Sequence, residues 1–401
     1  MKRTDAYIVS PLRTGIGKFG GALRPLQAHE LAAFAIRQVI ERSGVDQALI
    51  DDVVVSQSYQ SSEAPCMGRY AGNLAGLPIE VPGYTVDRRC GSGLQAVADA
   101  AMQVQTGVID CAMVVGVESM SNIEFYTTDM RWGKRMGSVT LHDRLESGRV
   151  RSQPESRFGP CSGPIETAEN LAKDYGISRE EADEFAFHSH RRAAEAWREG
   201  RFEKEVVTVP VPQRRGEPLQ FREDQGIRHD VSMEELARLK PILKGGTVTA
   251  GNASQQNDAA AGCLVVSEDF LARTGIQPMA RLVGWSAAGC DPLRMGMGPV
   301  PAVARLLGRI GMSLDDMEAI EVNEAFAAQI LAVLKEWNMT GDPRINPNGS
   351  GISLGHPIGA TGIRIMTTLL HDMERRNLRY GLETMCIGGG QGMAAVFERI
   401  V

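Results

Sequence analysis

The chain has 401 residues, 43% of them hydrophobic, with 43 Lys and Arg against 49 Asp and Glu for a formal net charge of -6. That length suffices for two or three domains around a large core, and the acidic balance excludes the basic footprint that non-specific nucleic-acid binding needs. No apolar run reaches the length of a membrane span, and seven cysteines without a Cys-x-x-Cys pair fit a reducing compartment rather than a disulfide framework.

Met1-Lys2-Arg3-Thr4-Asp5 leads straight into a strand-prone run at residues 6–9, without the apolar core of a secretory leader, so the cytoplasm is the expected location. Residues 11–21 read as a Gly-rich loop, 29–43 as a helix, 53–55 as a buried strand and 61–76 as loop and helix. A short apolar run at 84–86 then ends in Asp87-Arg88-Arg89-Cys90-Gly91-Ser92-Gly93. Leu94, Val97, Ala98, Ala101 and Val104 share one face of a helix, and a β-prone run follows at 111–117. Cys90 is therefore expected on a tight strand-to-helix turn, its sulfur at the first turn of the helix. Unpaired N–H groups and the helix dipole favour an anion there, so its pKa is expected to fall. A buried, inert cysteine is the plainer reading of the same residue. The order βαβαβ points to a mostly parallel sheet covered by helices.

Residues 121–248 differ in character. Residues 166–200 are charged and helical, opening on the capping box Ser178-Arg179-Glu180-Glu181, with His188 and His190 read as solvated. Residues 203–244 are rich in Arg, Pro and Gln, with a strand-like 206–211. The segment reads as a loop-rich excursion over the surface, of the kind that forms lids or binding surfaces.

The remainder repeats the first pattern. Residues 301–310 are helical and 319–322 form a strand. Laying residues 317–322 on residues 50–55 carries Cys90 onto Pro357, inside Gly355-His356-Pro357-Ile358-Gly359, where another helical pattern starts. Val114-Val115-Gly116 likewise resembles Cys386-Ile387-Gly388. This suggests an internal duplication, and halves packed about a pseudo-twofold axis would bring the helix starts of Cys90 and His356 together. Asn323-Glu324-Ala325-Phe326-Ala327 follows a buried strand, where α/β sheets place their sites. Gly251-Asn252-Ala253-Ser254 precedes an apolar run at 263–266. Each patch alone has a bland reading: a helix cap for His356, a turn for Asn323, a loop for the glycines, core for Cys386. Cys111, Cys263 and Cys290 read as structural, and no spacing matches a structural zinc site.

Taken in order, Asp87-Arg88-Arg89-Cys90-Gly91-Ser92-Gly93, Asn323-Glu324-Ala325-Phe326-Ala327, Gly355-His356-Pro357-Ile358-Gly359-Ala360-Thr361-Gly362 and Cys386-Ile387-Gly388-Gly389-Gly390-Gln391-Gly392 resemble the thiolase family of acetyl-CoA C-acyltransferases. The resemblance runs almost end to end from Ile8-Val9-Ser10-Pro11-Leu12-Arg13-Thr14, and the Asn323 motif resembles the main branch rather than the sterol-carrier one, which has a histidine motif there. It implies an α/β fold with a five-layer α-β-α-β-α core of two duplicated halves. Residues 1–120 with 249–270 would form the N-terminal half, 121–248 an inserted loop domain and 271–401 the C-terminal half. It also implies a homodimer or homotetramer in fatty-acid metabolism such as β-oxidation. Coenzyme A and acyl-CoA would be its substrates, with no tightly bound cofactor, metal, nucleic acid or membrane.

By the same resemblance, Cys90 is the nucleophile, His356 takes its proton and Cys386 is a second acid/base. One oxyanion hole combines His356 with a water held by Asn323; the other uses the backbone N–H groups of Cys90 and Gly388. Ser254 matches a pantetheine-contacting serine, Arg228 resembles an arginine that touches the nucleotide, and Phe326 and Met295 line the pocket. Asp87 stands where asparagine is usual, Gln255-Gln256 replaces Gly-Ile, and Gly163-Pro164-Ile165 lacks the His-Met-Gly of short-chain biosynthetic members, which leaves the acyl length open. Two other readings compete: a decarboxylating ketoacyl synthase, against which Cys386 argues, and a non-catalytic acyl-CoA-binding protein on the same fold.

Overall fold

The computed structural model describes residues 4–161 and 163–400. The first half runs β1 (Ala6–Thr14), α1 (Ala28–Ser43), β2 (Asp52–Ser56), α2 (Met67–Ala75), β3 (Gly83–Val86), α3 (Ser92–Gln105) and β4 (Cys111–Ser119). After a long insertion holding α4 (Arg144–Val150), α5 (Pro164–Asp174) and α6 (Arg179–Arg198), β5 (Asn257–Ser267) completes it. The second half runs β6 (Ala280–Gly289), α7 (Pro299–Ile310), β7 (Ala319–Val322), α8 (Ala327–Trp337), α9 (Thr361–Arg376), β8 (Tyr380–Ile387) and β9 (Gln391–Arg399).

The strands form one sheet in the order β7-β8-β9-β6-β1-β5-β4-β2-β3. Within each half the pairings repeat. β1–β5 and β5–β4 are antiparallel, then β4–β2 and β2–β3 parallel. β6–β9 and β9–β8 are antiparallel, then β8–β7 parallel. The place of β3 is taken in the second half by a single parallel bridge between Ile320 and Ile345. Among the described residues, the pairs Tyr7–Arg281 and Ile8–Ala280 alone join the halves along the sheet.

Burial explains the layering. β4 and β5 are buried at every residue because helices cover both faces. Helix α1 keeps a polar edge (Glu30, Arg37, Glu41) and ends on Gly44 in the left-handed conformation, so it lies outside. Helices α3 and α9 are buried nearly all round, since they sit between the halves. Their core takes in Val54 and Val114 from one half and Met385 and Phe397 from the other. Separate cores join α1 and α2 to the first half and α7 and α8 to the second. Five layers result.

The two middle helices begin against each other. A Cβ built on Gly362 would lie 2.2 Å from the Leu94 nitrogen, and one on Gly93 would lie 2.7 Å from the Ile363 nitrogen. The pseudo-twofold meeting of helix starts is therefore a backbone contact that only glycine admits. The register differs from the sequence alignment. The 3-10 turn Arg89–Gly91 corresponds to Ile358–Ala360, so Gly359 rather than Pro357 stands opposite Cys90. More chain separates β7 from its turn than β2 from its own.

The insertion is less superficial than its composition suggests. Its helical stretch divides into α5 and α6 around Gly176 at φ 57. The strand-like 206–211 also splits: Val206–Val207 pairs with β1, and Val209–Val211 pairs with Leu219–Phe221. Glu205 and Asp224 reach Arg13 of β1 at 2.7 and 2.8 Å, all three side chains buried. Removing one member of such a set strands a buried charge, whereas the set as a whole adds little stability.

Gly362→Ala is expected to lower stability by about 1–3 kcal/mol through forced separation of the helix starts. Gly308→Ala in α7, where an added Cβ meets nothing within 4 Å, is expected to raise it by up to about 1 kcal/mol. Urea unfolding midpoints of the two variants check the pair.

Candidate active site

Cys90 lies in the 3-10 turn between β3 and α3. The turn is made by Arg89 in the left-handed region, at φ 49, which costs a residue with a side chain about 1–2 kcal/mol. Neighbouring groups hold it there. The Arg89 N–H donates to Asp87 Oδ1 at 2.8 Å, and the Arg89 carbonyl accepts from the hydroxyls of Ser92 (2.6 Å) and Ser58 (2.9 Å). Asp87, unusual for the family resemblance, thus serves the turn. The backbone N–H groups of Gly388 and of Cys90 itself, with the Arg89 cation, favour the Cys90 thiolate. Burial nevertheless outweighs them and pushes the thiol above its ordinary pKa. The expected fall is corrected: desolvation by burial beats the helix terminus.

His356 precedes the equivalent turn of the second half. Gly355, at φ 122, lets the chain pass Asn257, whose Oδ1 accepts the His356 N–H at 2.8 Å. The imidazole tautomer follows from its neighbours. With the Thr361 hydroxyl hydrogen assigned to the Pro357 carbonyl at 2.9 Å, its oxygen is the acceptor at 2.7 Å from His356 Nδ1. Nδ1 therefore carries the hydrogen and Nε2 is left as the basic nitrogen. Burial, with the Arg364 cation adding to it, holds the imidazole neutral with a pKa of about 3.

Cys386 ends β8, fully buried, and its thiol lies well above the ordinary range because of burial, with the Cys90 and Cys290 sulfurs adding to the effect. Beyond it, Gly389 and Gly390 at φ 86 and 82 turn the chain into β9 and leave the Gly388 N–H facing inward. Asn323 follows β7 and is buried behind His356. Its Nδ2 is 3.4 and 3.5 Å from the two ring nitrogens, and its Oδ1 has no protein partner.

Cys90, His356, Cys386 and Gly388 line one cavity of about 510 Å³, together with Ser254, Met295 and Phe326. Residues 252–254 and 325–327 are stitched together, Ser254 N–H to the Ala325 carbonyl and Ala327 N–H to the Asn252 carbonyl, both at 2.9 Å. That pairing brings Ser254 beside Phe326. Arg228 does not line the cavity; its guanidinium donates to the carbonyl of Ala250, which does. His190, read as solvated, is buried instead. Its Nδ1 accepts the Arg228 N–H at 3.2 Å, and burial lowers its pKa to about 3. The helical face pointing inward was misjudged because α6 packs between the insertion and the second half. His188 is exposed.

Three residues given no role by the sequence support the site: Thr361, which lies within the His356 motif and partners its imidazole, and Asn257 and Glu118, which lie outside the motifs. Glu118, at the end of β4, accepts from the N–H groups of Gly359 (2.9 Å), Ser58 (3.1 Å) and Tyr59 (3.3 Å). Burial pushes its pKa up to about 7 against those hydrogen bonds. An acid closing an otherwise apolar strand was the signal that could have found it.

Comparison with known proteins agrees along the whole chain. The family model "Thiolase, N-terminal domain" matches residues 6–269 and "Thiolase, C-terminal domain" matches 276–399. A beta-ketothiolase (BktB) of Cupriavidus necator is 44% identical over 400 residues, covering 99% of both chains. An acetyl-CoA acetyltransferase of Chromobacterium violaceum is 43% identical, covering 98% of this chain and 100% of its own. Among solved structures, the Bacillus anthracis acetyl-CoA acetyltransferase superposes with a TM-score of 0.95 at 41% identity, covering 100% of both chains. Human mitochondrial 3-ketoacyl-CoA thiolase in complex with CoA gives 0.92 at 36%, covering 99% of this chain and 98% of that one.

Two outcomes follow from the state of His356. Thr361→Val, which strips the acceptor from Nδ1–H, should lower kcat by about tenfold or more, while Thr361→Ser should restore it; steady-state kinetics of both variants decide. Because the folded imidazole is neutral down to a pKa of about 3, kcat/KM should pass through pH 6.5 without an imidazole inflection. The stability linkage has the opposite sense. The unfolded imidazole gains a proton below about 6.5 and the folded one does not until about 3, so this group's contribution is present at neutral pH and lost as pH falls through that window.

Proposed function

The chain belongs to the thiolase family and is an acetyl-CoA C-acyltransferase, and from that premise we propose that Cys90, His356 and Cys386 carry its reaction. The reaction moves an acyl group between a cysteine and coenzyme A. It cleaves 3-ketoacyl-CoA to acetyl-CoA and a shortened acyl-CoA, or runs the reverse Claisen condensation.

In the thiolytic direction, Cys90 gives its proton to His356 Nε2 and its sulfur attacks the 3-keto carbonyl. The oxyanion is received by the N–H groups of Cys90 and Gly388, each worth about 10²–10³ in rate. The carbon–carbon bond breaks, and the departing acetyl-CoA enolate takes a proton from Cys386. Its oxygen is stabilised by His356 and by a water on the open Oδ1 of Asn323. Cys386 then recovers its proton from incoming coenzyme A, whose sulfur attacks the acyl group on Cys90. As Cys90 leaves, His356 returns its proton. A thiol serves both ways because its pKa is within reach of both partners.

One observation carries this reading: two thiols and an imidazole held neutral line one cavity, where the backbone N–H groups of Gly388 and Cys90 favour the thiolate form of Cys90. Ser254 would take the pantetheine, Phe326 and Met295 would flank the acyl-thioester, and Arg228 would stand toward the nucleotide. Coenzyme A enters as a substrate. β-Oxidation-type thiolysis is the proposed direction, because Gly163-Pro164-Ile165 replaces the run that marks short-chain biosynthetic members.

Cytoplasmic residence is supported by seven unpaired cysteines. A homodimer or homotetramer is supported by the apolar side chains that the 125–143 arm exposes, among them Trp132 (95%) and Met136 (84%). Residues 1–120 with 249–270, 121–248 and 271–401 are the proposed units. The repeat of strand pairings and the break between the matched family segments support that division.

With acetoacetyl-CoA or a longer 3-ketoacyl-CoA plus coenzyme A, Cys90→Ala is expected to lose at least about 10³-fold in turnover. Mass spectrometry should find the acyl adduct on Cys90 of the wild type. Cys386→Ala should still acylate yet fail to condense; normal condensation would remove Cys386 from the mechanism.

A further inference from the structure

The catalytic cavity does not end at Cys90. A second chamber of about 560 Å³ abuts it, and Tyr59, Arg89 and Gly148 line both. The second chamber is walled by the hydroxyl and amide groups of residues 58–62 on one side and by α4 and Arg151 on the other.

Charge along these two chambers is unbalanced. Their walls carry the guanidinium groups of Arg89, Arg144, Arg149 and Arg151 against the carboxylates of Asp87, Glu124 and Glu146, within a chain whose net charge is -6. Glu124 is committed to Arg144 at 2.9 Å, and Asp87 Oδ1 to the backbone N–H of Arg89. Among the described residues no ion pair joins Arg89, Arg149 or Arg151 to a carboxylate. The Arg89 guanidinium lies over the Tyr59 ring, 5.5 Å from its centroid, and Arg149 lies 2.6 Å from the Gln256 amide, whose oxygen faces it once the amide is turned over. A purely hydrocarbon tail would cover these cations without a counter-charge, at a cost. A planar carboxylate would match their fork of donors.

We infer that the enzyme acts on 3-ketoacyl-CoA thioesters whose acyl chain ends in a carboxylate, the tail running from Cys90 past Tyr59 and the carboxylate resting on Arg89 and Arg151. This rests on the thiolase reading and adds the class of acyl group to it. Arg149 lines the passage and keeps its field positive. Arg89, held in a left-handed turn beside the nucleophile, sits where the two chambers meet.

The test uses the intact enzyme, coenzyme A and two 3-ketoacyl-CoA substrates of equal chain length, one ending in methyl and one in carboxylate. The ratio of their kcat/KM values should favour the carboxylate by about tenfold or more, mostly through KM. In Arg151→Gln that ratio should fall by about tenfold, and Arg151→Lys should recover part of it. If the methyl-ended substrate is cleaved and the carboxylate is not preferred, or if Arg151→Gln leaves the ratio unchanged, the inference is overturned while the thiolase reading stands. If neither substrate is cleaved, both fall.

Discussion

The active site depends on a contact that contains no side chain. Helices α3 and α9 abut at Gly93 and Gly362 closely enough that a methyl group on either would strike the other's backbone. Cys90 and His356 stand just ahead of those helices, so the separation of the proposed nucleophile and base is set by main chain on main chain, the stiffest spacer a protein has. The seam is reinforced across the halves: Ser56 Oγ donates to the Gly359 carbonyl at 2.7 Å, and Glu118 takes the Gly359 N–H. One half thus holds the turn of the other in place.

Burial, rather than charge, then decides the resting state. It raises both thiols and lowers the imidazole, so all three groups rest uncharged. In the proposed mechanism the proton moves only when a thioester is there to receive the sulfur, which would protect the cysteine from other electrophiles in the meantime. There the fixed dipoles at the Cys90 and Gly388 nitrogens would supply the stabilisation that water otherwise gives.

Much of this was legible in the chain. The apolar run 111–117, the helical face from Leu94 to Val104 and the echo of residues 50–55 at 317–322 reported both halves, because the periodicity of buried elements survives duplication. Cys90, His356 and Cys386 each had a bland reading alone, and only the resemblance of the four motifs together proposed them as a set; the structure brings all three to one cavity. The exact register of the turns was not visible, since it depends on how much chain each half spends between strand and helix. The depth of the insertion was hidden too. Glu205, Asp224 and His190 look like surface residues by type, and only the partner across the fold (Arg13 for the acids, the Arg228 main chain for the imidazole) makes their burial tolerable. The pKa of Cys90 was misread because a helix start can be recognised in a sequence, whereas the dryness around it cannot.

The sheet order also dictates when the molecule can come into being. β1 is flanked by β5 and β6, made some hundreds of residues later, and β8 with Cys386 is nearly the last segment to be synthesised. The first strand must therefore wait on the ribosome with both edges open, which favours slow assembly and a need for shielding. It also means that the nascent polypeptide, though it carries Cys90 early, cannot complete the cavity until the final hairpin brings Cys386 and Gly388.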